Sequence, residues 1–416
     1  MESIQLEAPQ AIGYTGINRT LLEELALKTL FLSGEISLAD LAYRMCLSFP
    51  VVEEIFQFFR REQLCEVKGM VRGTHVIAAS AMGKERAFGL FAFSQYAGPA
   101  PVSLEDYSAR IRAQSVKHAA VRPAHLNRAF DKLVLDDDIL TRLGTAVVSG
   151  TSIFLYGPPG TGKTTLACRI AAIYDDVVLI PYAIEVDSQI IRVYDPGVHH
   201  CVKGPVPEDW DRRWVRCHRP RVVTGGELSG EMLDLQFNAN GHFLTAPLQL
   251  KANNGVLVVD DFGRQRIRSE ELLNRWMTPL DRRVDFLTLP GGKKFEVPFD
   301  VLVVFSTNHE PRALADEAFL RRIPNKINVT HATPDQFAEI FRRECAARML
   351  PCEAGLAEYV VELIANQMKQ PLSHSHVRDI VNQIFWSAIY LGVPPQLTRT
   401  TLQQACHNYF LPVATG

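Results

Sequence analysis

The stretch SIFLYGPPGTGKTTLACRIAAIY, residues 152–174, decides the reading of this chain. SIFLY is apolar and strand-like, GPPGTGKTT runs from Gly157 to Thr165, and TLACRIAAIY carries apolar residues at helical spacing. Gly157, Gly160 and Gly162 let the backbone curl so that successive N–H groups face phosphate oxygens. Lys163 reaches the terminal phosphates and Thr164 is placed to hold Mg²⁺, with Pro158, Pro159, Thr161 and Thr165 completing the loop. An incidental glycine turn requires neither the strand before it nor the helix after it. The pattern therefore predicts an ATP site with Mg²⁺ as its cofactor.

Working outward, SIFLYG, DVVLIPY, PRVVTG, GVLVVDDF and VPFDVLVVFSTN alternate with helical segments. That alternation predicts an α/β core whose parallel sheet contains all five runs and is covered on both faces. VLVVDDFG, residues 256–263, is an apolar strand ending in two carboxylates. Asp260 is expected to serve the metal and Asp261 the attacking water. A strand that ends in an aspartate cap is commonplace by itself. Beside a phosphate loop it becomes informative.

Four segments are expected, with boundaries at 1–96, 97–121, 122–332 and 333–416. In the first, 18–33, 38–46 and 51–63 read as helices, two short β-prone runs follow around Val67 and Val76, and a further helix closes the unit. Helices followed by a small hairpin resemble a winged helix. Pro, Gly and small residues mark YAGPAPVS as the start of a linker. From Thr333 onward four helices separated by polar breaks read as a small helical lid.

With 416 residues, 47% hydrophobic and 22% charged, the chain can bury a large core. A net charge of −2 gives no overall field toward nucleic acid or an anionic membrane. Neither a secretory signal nor a long apolar run is visible, so a cytoplasmic location and no membrane partner are expected. Eight cysteines without a CxxC pair read as reduced thiols.

GPPGTGKT, the acidic strand end, a third strand ending in Asn308 and the arginines of AFLRRI together resemble the AAA+ branch of the P-loop NTPases. The likeness runs from about Asp136 to the C-terminus. It implies that Asn308 is the polar sensor that helps orient the water, and that Arg322, with Arg321 as the alternative, is a finger acting in a neighbour's site. It implies that Arg378 is the lid arginine that touches nucleotide, and that the chain works as a homo-oligomeric ring, a hexamer in the family's pattern. Asp261 departs from the family's usual Glu, which puts the rate of hydrolysis in question more than ATP binding.

DFLTL and KFEVPF, joined at PGG, read as a hairpin before the sensor strand. That insertion resembles the pre-sensor hairpin branch, including MoxR-like ATPases, and makes Lys293 and Lys294 candidate substrate contacts. In NANGHFLTAP, Phe243 is a second candidate contact, although a core role is the simpler account. His199, His200, Cys201, Cys217 and His218 are suitable zinc ligands by type, but their spacing fits no finger. The residues between them, Asp209 to Trp214, read instead as an irregular surface insertion.

FPVVEEIFQFFRREQL is the would-be recognition helix, yet Glu53 and Glu54 sit where phosphate attraction wants bases, and Phe56, Phe58 and Phe59 read as core. A protein client or adaptor is therefore the expected partner of the first segment, with DNA as the alternative. The functional expectation is an ATPase that remodels a protein. Its rival is a DNA-associated regulator whose ATP site acts as a switch.

Overall fold

The computed structural model describes residues 6–207, 209–238 and 241–411. Its central strands are Ile153–Tyr156 (β1), Arg221–Thr224 (β2), Val256–Val259 (β3), Leu302–Thr307 (β4) and Asn325–Asn328 (β5). They form a parallel sheet in the order β2-β3-β4-β1-β5. β3 and β4 are buried along their whole lengths, as strands covered on both faces must be.

Alternation along each strand divides the core in two. Ile153, Leu155, Val256, Val258, Leu302 and Val304 pack against helices Pro123–Phe130, Asp137–Ser149 and Lys163–Ile170. Phe154, Leu257, Val259, Val303 and Phe305 face the other way, against Trp276 of helix Ser269–Arg282 and Phe319. Burying each of these large side chains contributes about 1.5–3 kcal/mol. With the phosphate loop directly after β1, this is an α/β P-loop NTPase fold.

Two sheet expectations need correction. The DVVLIPY run, at Val177–Pro181, does not join the parallel sheet; it pairs antiparallel with Trp214–His218. An apolar run encodes burial on both faces, not the direction of its partner, and here the burial comes from a separate core containing Trp214, Leu244 and Leu287. The fifth parallel strand is instead Asn325–Asn328, whose NKIN sequence buries only Ile327. An edge strand with one inward residue carries almost no periodicity signal.

The stretch from Asp209 to Trp214 is also not a surface insertion. Trp210, Asp211, Arg213 and Trp214 are buried. Arg213 forms a fork with Asp211 and donates to the carbonyls of Thr15 (3.0 Å) and Pro101 (3.2 Å). The charges are tolerated because each is paired and hydrogen-bonded. They clasp the N-terminal segment onto the core.

That segment has helices Arg19–Ser33, Leu38–Met45 and Phe49–Arg61, a hairpin Cys65–Val71/Thr74–Ala79 joined by Glu35–Ser37, and helix Ala81–Phe93. Its apolar core extends to Ala183 and Ile190 of a second sheet, ordered Gln236–Asn238, Phe243–Thr245, Gln189–Arg192, Ala183–Val186, Val102–Ser103. Phe243 is partly buried against that core, edge-on to Tyr96 at 5.8 Å; Ala239 and Asn240 of the same run lie outside the described residues. Within 97–121, helix Leu104–Ala113 buries Tyr107 and Ile111.

Beyond residue 333 the helices are Pro334–Ala347, Leu356–Glu362 with a π-turn to Gln367, His374–Leu391 and Arg399–Tyr409, around their own apolar core. Among the described residues no helix is long and apolar enough to cross a membrane.

Candidate functional site

One cavity of about 810 Å³ opens where the phosphate loop, the ends of β3 and β4 and the C-terminal helices meet. Its size suits a nucleotide-sized ligand. Gly157, Gly160 and Gly162 all have positive φ (136°, 75° and 87°), the conformations that let the loop wrap inward. At two of them space also forbids a side chain. A Cβ on Gly157 would strike the Val329 carbonyl, and one on Gly160 would strike the hydroxyls of Ser373 and Ser375.

Lys163 is the first residue of its helix and is buried. Its ammonium donates to the carbonyls of Gly157 (3.0 Å) and Pro158 (2.6 Å), so it holds the loop from within. Burial pushes its pKa down, while the nearby carboxylates of Asp260 and Asp261 oppose that shift. The Thr164 hydroxyl donates to the Asp260 carboxylate at 3.0 Å. Hydroxyl and carboxylate oxygens side by side are the hard donor set that Mg²⁺ takes.

The acidic turn is anchored on both sides. Asp260 N–H donates to the Thr224 carbonyl (2.8 Å), extending the β2–β3 pairing by one residue. After Asp261 comes Phe262, fully buried, with ring centroids 5.9 Å from Phe154 and 5.0 Å from Phe305. Phe262 N–H donates to the Ser306 carbonyl (2.7 Å), and Thr307 Oγ1 donates to the Phe262 carbonyl (2.8 Å). Between these anchors Asp261 takes φ +48°, a left-handed conformation uncommon for a residue with a side chain. Packing thus fixes the carboxylate against the cavity wall.

Of the residues singled out in the sequence, Pro159 to Thr165, Asp261, Asn308 and Arg378 line the cavity together. Gly157 and Pro158 support it through Lys163, and Asp260 through Thr164. Arg378 is 68% exposed, with Nε 3.4 Å from Asp379. Arg321 and Arg322 do not line it. Arg321 pairs with Glu317 at 3.1 Å, and Arg322 donates to the Ala318 carbonyl at 2.7 Å while its Nε is buried without a partner.

Several lining residues escaped sequence reasoning. Arg343 bonds Glu339 (2.8 Å) and the Asp131 carbonyl (3.2 Å), and Asp131 to Leu135 form a further wall. Ser375 N–H donates to the Gly160 carbonyl (3.1 Å) and Ser373 Oγ to the Pro159 carbonyl (3.3 Å), so the C-terminal helices rest directly on the loop. His374 lines the cavity near His331, and burial lowers the pKa of both rings. An arginine in a helix or a serine at a cap has no local signal marking it for such contact.

At the inserted hairpin, Val284–Thr288 pairs with Lys294–Pro298, and Leu287, Phe295 and Val297 are buried. Lys293 at the tip pairs with Asp187 at 2.6 Å; Lys294 is exposed. His199 has both ring nitrogens engaged, Nδ1 accepting from Asp195 N–H (2.9 Å) and Nε2 donating to the Lys251 carbonyl (2.8 Å). No group of three metal-ligating side chains gathers among the described residues.

Comparison with known proteins adds three findings. A family model described as a domain of unknown function, DUF8689, matches residues 333–408. No curated protein matches the chain. Solved structures similar to it include the RuvB Holliday junction branch migration motor of Thermotoga maritima, 15% identical over 66% of this chain and 70% of that one, with a TM-score of 0.38. A point mutant of the same Thermotoga maritima RuvB matches at 15% identity over 71% and 72%, also with a TM-score of 0.38. Values this low leave the functional reading to the site itself.

Proposed function

We propose that this chain is an AAA+ ATPase that binds ATP with Mg²⁺, hydrolyses it within a homo-oligomeric ring, and remodels a protein partner engaged by its N-terminal segment. The observation that carries the reading is that one cavity brings the phosphate loop, Asp261, Asn308 and Arg378 together, with Asp260 joined to Thr164. The loop N–H groups and the helix N-terminus supply the phosphate cradle. Lys163 exchanges its bonds to the loop carbonyls for the terminal phosphates.

Thr164 and Asp260 would hold Mg²⁺, which neutralises charge on the phosphate oxygens. Asp261 orients the attacking water and takes up its proton, and Asn308 fixes the geometry between them. Arg378 and Arg343 bring the C-terminal helices down on the nucleotide. Arg321 and Arg322, outside the cavity of their own subunit, are assigned to a neighbour's site, where a fixed positive charge stabilises the transition state.

A protein partner is preferred to DNA for two reasons. The exposed face of helix Phe49–Arg61 mixes Glu53 with Arg60 and Arg61, and phosphate attraction wants one sign. The N-terminal segment also exposes Phe88 (75%) and Phe93 (82%), side chains suited to apolar docking.

Phosphate release by the wild type should exceed that of Lys163→Ala by at least about 100-fold under conditions where light scattering confirms assembly. Equal rates would end the ATPase reading. Mixing Lys163→Ala with Arg322→Ala subunits should recover hydrolysis that neither has alone, since the mixed interface joins an intact loop to an intact arginine. No recovery, with the Arg321→Ala mixture equally silent, would remove the shared-site part.

A further inference from the structure

Cys201 and Cys217 face each other across a two-strand bridge. His218 N–H donates to the His200 carbonyl (3.0 Å) and Val202 N–H to the Arg216 carbonyl (2.8 Å), so the cysteines form the non-hydrogen-bonded pair between those two bonds. Such pairs place their Cα atoms about 4.5 Å apart with both side chains on one face, inside the range a disulfide spans. Cys201 is exposed while Cys217 is buried, and the Tyr194 hydroxyl donates to Cys201 Sγ at 3.7 Å.

We propose that Cys201 and Cys217 are a redox-modification site that closes to a reversible disulfide on exposure to a low-molecular-weight disulfide such as oxidised glutathione. The Cys201 thiolate attacks one glutathione sulfur, forming a mixed disulfide and expelling one glutathione thiolate. The Cys217 thiol then attacks the Cys201 sulfur, its proton passing to the second glutathione sulfur, which leaves as the thiol. Two protein thiols are thereby oxidised by two electrons, and one small disulfide is reduced to two thiols.

The location gives the bond a structural consequence. Cys217 lies on the strand between Arg213, which clasps Thr15 and Pro101, and Arg219, which donates to the carbonyls of Gln114 (3.0 Å) and Asn254 (2.8 Å). Both arginines are buried. The bridge would tie the exposed 201–207 loop to the strand that joins the N-terminal segment to the ATPase core.

Cys345 and Cys352 belong to one apolar core beyond residue 333, but Cys345 is wholly buried and Cys352 half-buried, so neither offers the open thiol that a glutathione-sized oxidant needs.

The test is full-length protein equilibrated in graded glutathione buffers, with thiol titration under denaturing conditions and non-reducing peptide mapping. Two of the eight thiols should disappear together, the cross-linked peptides should contain Cys201 and Cys217, and dithiothreitol should restore both. Cys201→Ser, at an exposed position, should lose none. The proposal fails if Cys201 stops at the glutathione adduct with Cys217 still alkylatable, if the lost pair maps to Cys345 and Cys352, or if no thiols are lost. Mapping the wild type decides the matter even if Cys217→Ser does not fold.

Discussion

Gly160→Ala separates the contribution of the contact with the C-terminal helices from that of the phosphate cradle. The residue has φ +75°, and left-handed backbone costs a residue with a Cβ about 1–2 kcal/mol. The new methyl also meets the Ser373 and Ser375 hydroxyls, which must withdraw. Withdrawal breaks two bonds, Ser375 N–H to the Gly160 carbonyl and Ser373 Oγ to the Pro159 carbonyl, each contributing about 1 kcal/mol. The total is about 3–4 kcal/mol. With that cost falling on the closed, nucleotide-bound arrangement, ATP affinity drops roughly 140- to 700-fold at 1.4 kcal/mol per tenfold. Titration with a fluorescent ATP analogue measures this. The triple variant Gly160→Ala/Ser373→Ala/Ser375→Ala removes the obstructing hydroxyls and should regain the Ser375 N–H bond, leaving the backbone cost and the lost Ser373 hydroxyl bond. Wild-type affinity in the single variant, or a triple variant no better than the single, refutes steric coupling between the C-terminal helices and the phosphate loop.

Asp261→Asn should cut phosphate release by about 10²–10⁴ while ATP affinity stays within about threefold, because the amide keeps the shape and loses the base; retained turnover would show that another group orients the water. Arg213→Ala leaves the buried Asp211 carboxylate unpaired and should destabilise the docked N-terminal segment by about 3–5 kcal/mol, read as faster amide exchange around Thr15 and Val102. Arg213→Lys should not rescue it, since an ammonium cannot reproduce the fork. Unchanged exchange would mean the clasp holds nothing.

The buried Lys28 ammonium donates to the Ser94 carbonyl at 3.1 Å, and burial lowers its pKa from 10.5 to about 8, with Glu24 opposing. Between pH 8 and 10.5 the unfolded chain therefore binds more protons than the folded one, and stability of the N-terminal segment should rise with pH through that window. Lys28→Met should flatten that rise in denaturant titrations. An unchanged slope would place its origin elsewhere.

What could be read without coordinates was local chemistry. The glycines of GPPGTGKTT dictate where the backbone must turn left-handed, and an apolar run ending in Asp260 and Asp261 or in Asn308 dictates that polar groups emerge at one edge of a sheet. Those requirements act over a few residues, so sequence order alone carries them. The hairpin and the amphipathic helices were legible for the same reason.

Tertiary structure decided whatever depends on partners distant in sequence. It paired Val177–Pro181 with Trp214–His218 instead of the parallel sheet, and recruited the nearly polar NKIN as the edge strand. Burying Asp211 and Arg213 requires carbonyls supplied by Thr15 and Pro101, about 200 and 110 residues away along the chain. The contact of Ser375 with Gly160, the entry of Arg343 and His374 into the cavity, and the meeting of Cys201 with Cys217 likewise arise only when separate elements pack. Periodicity specifies which side of an element is buried, and the shape of the whole core specifies what it is buried against.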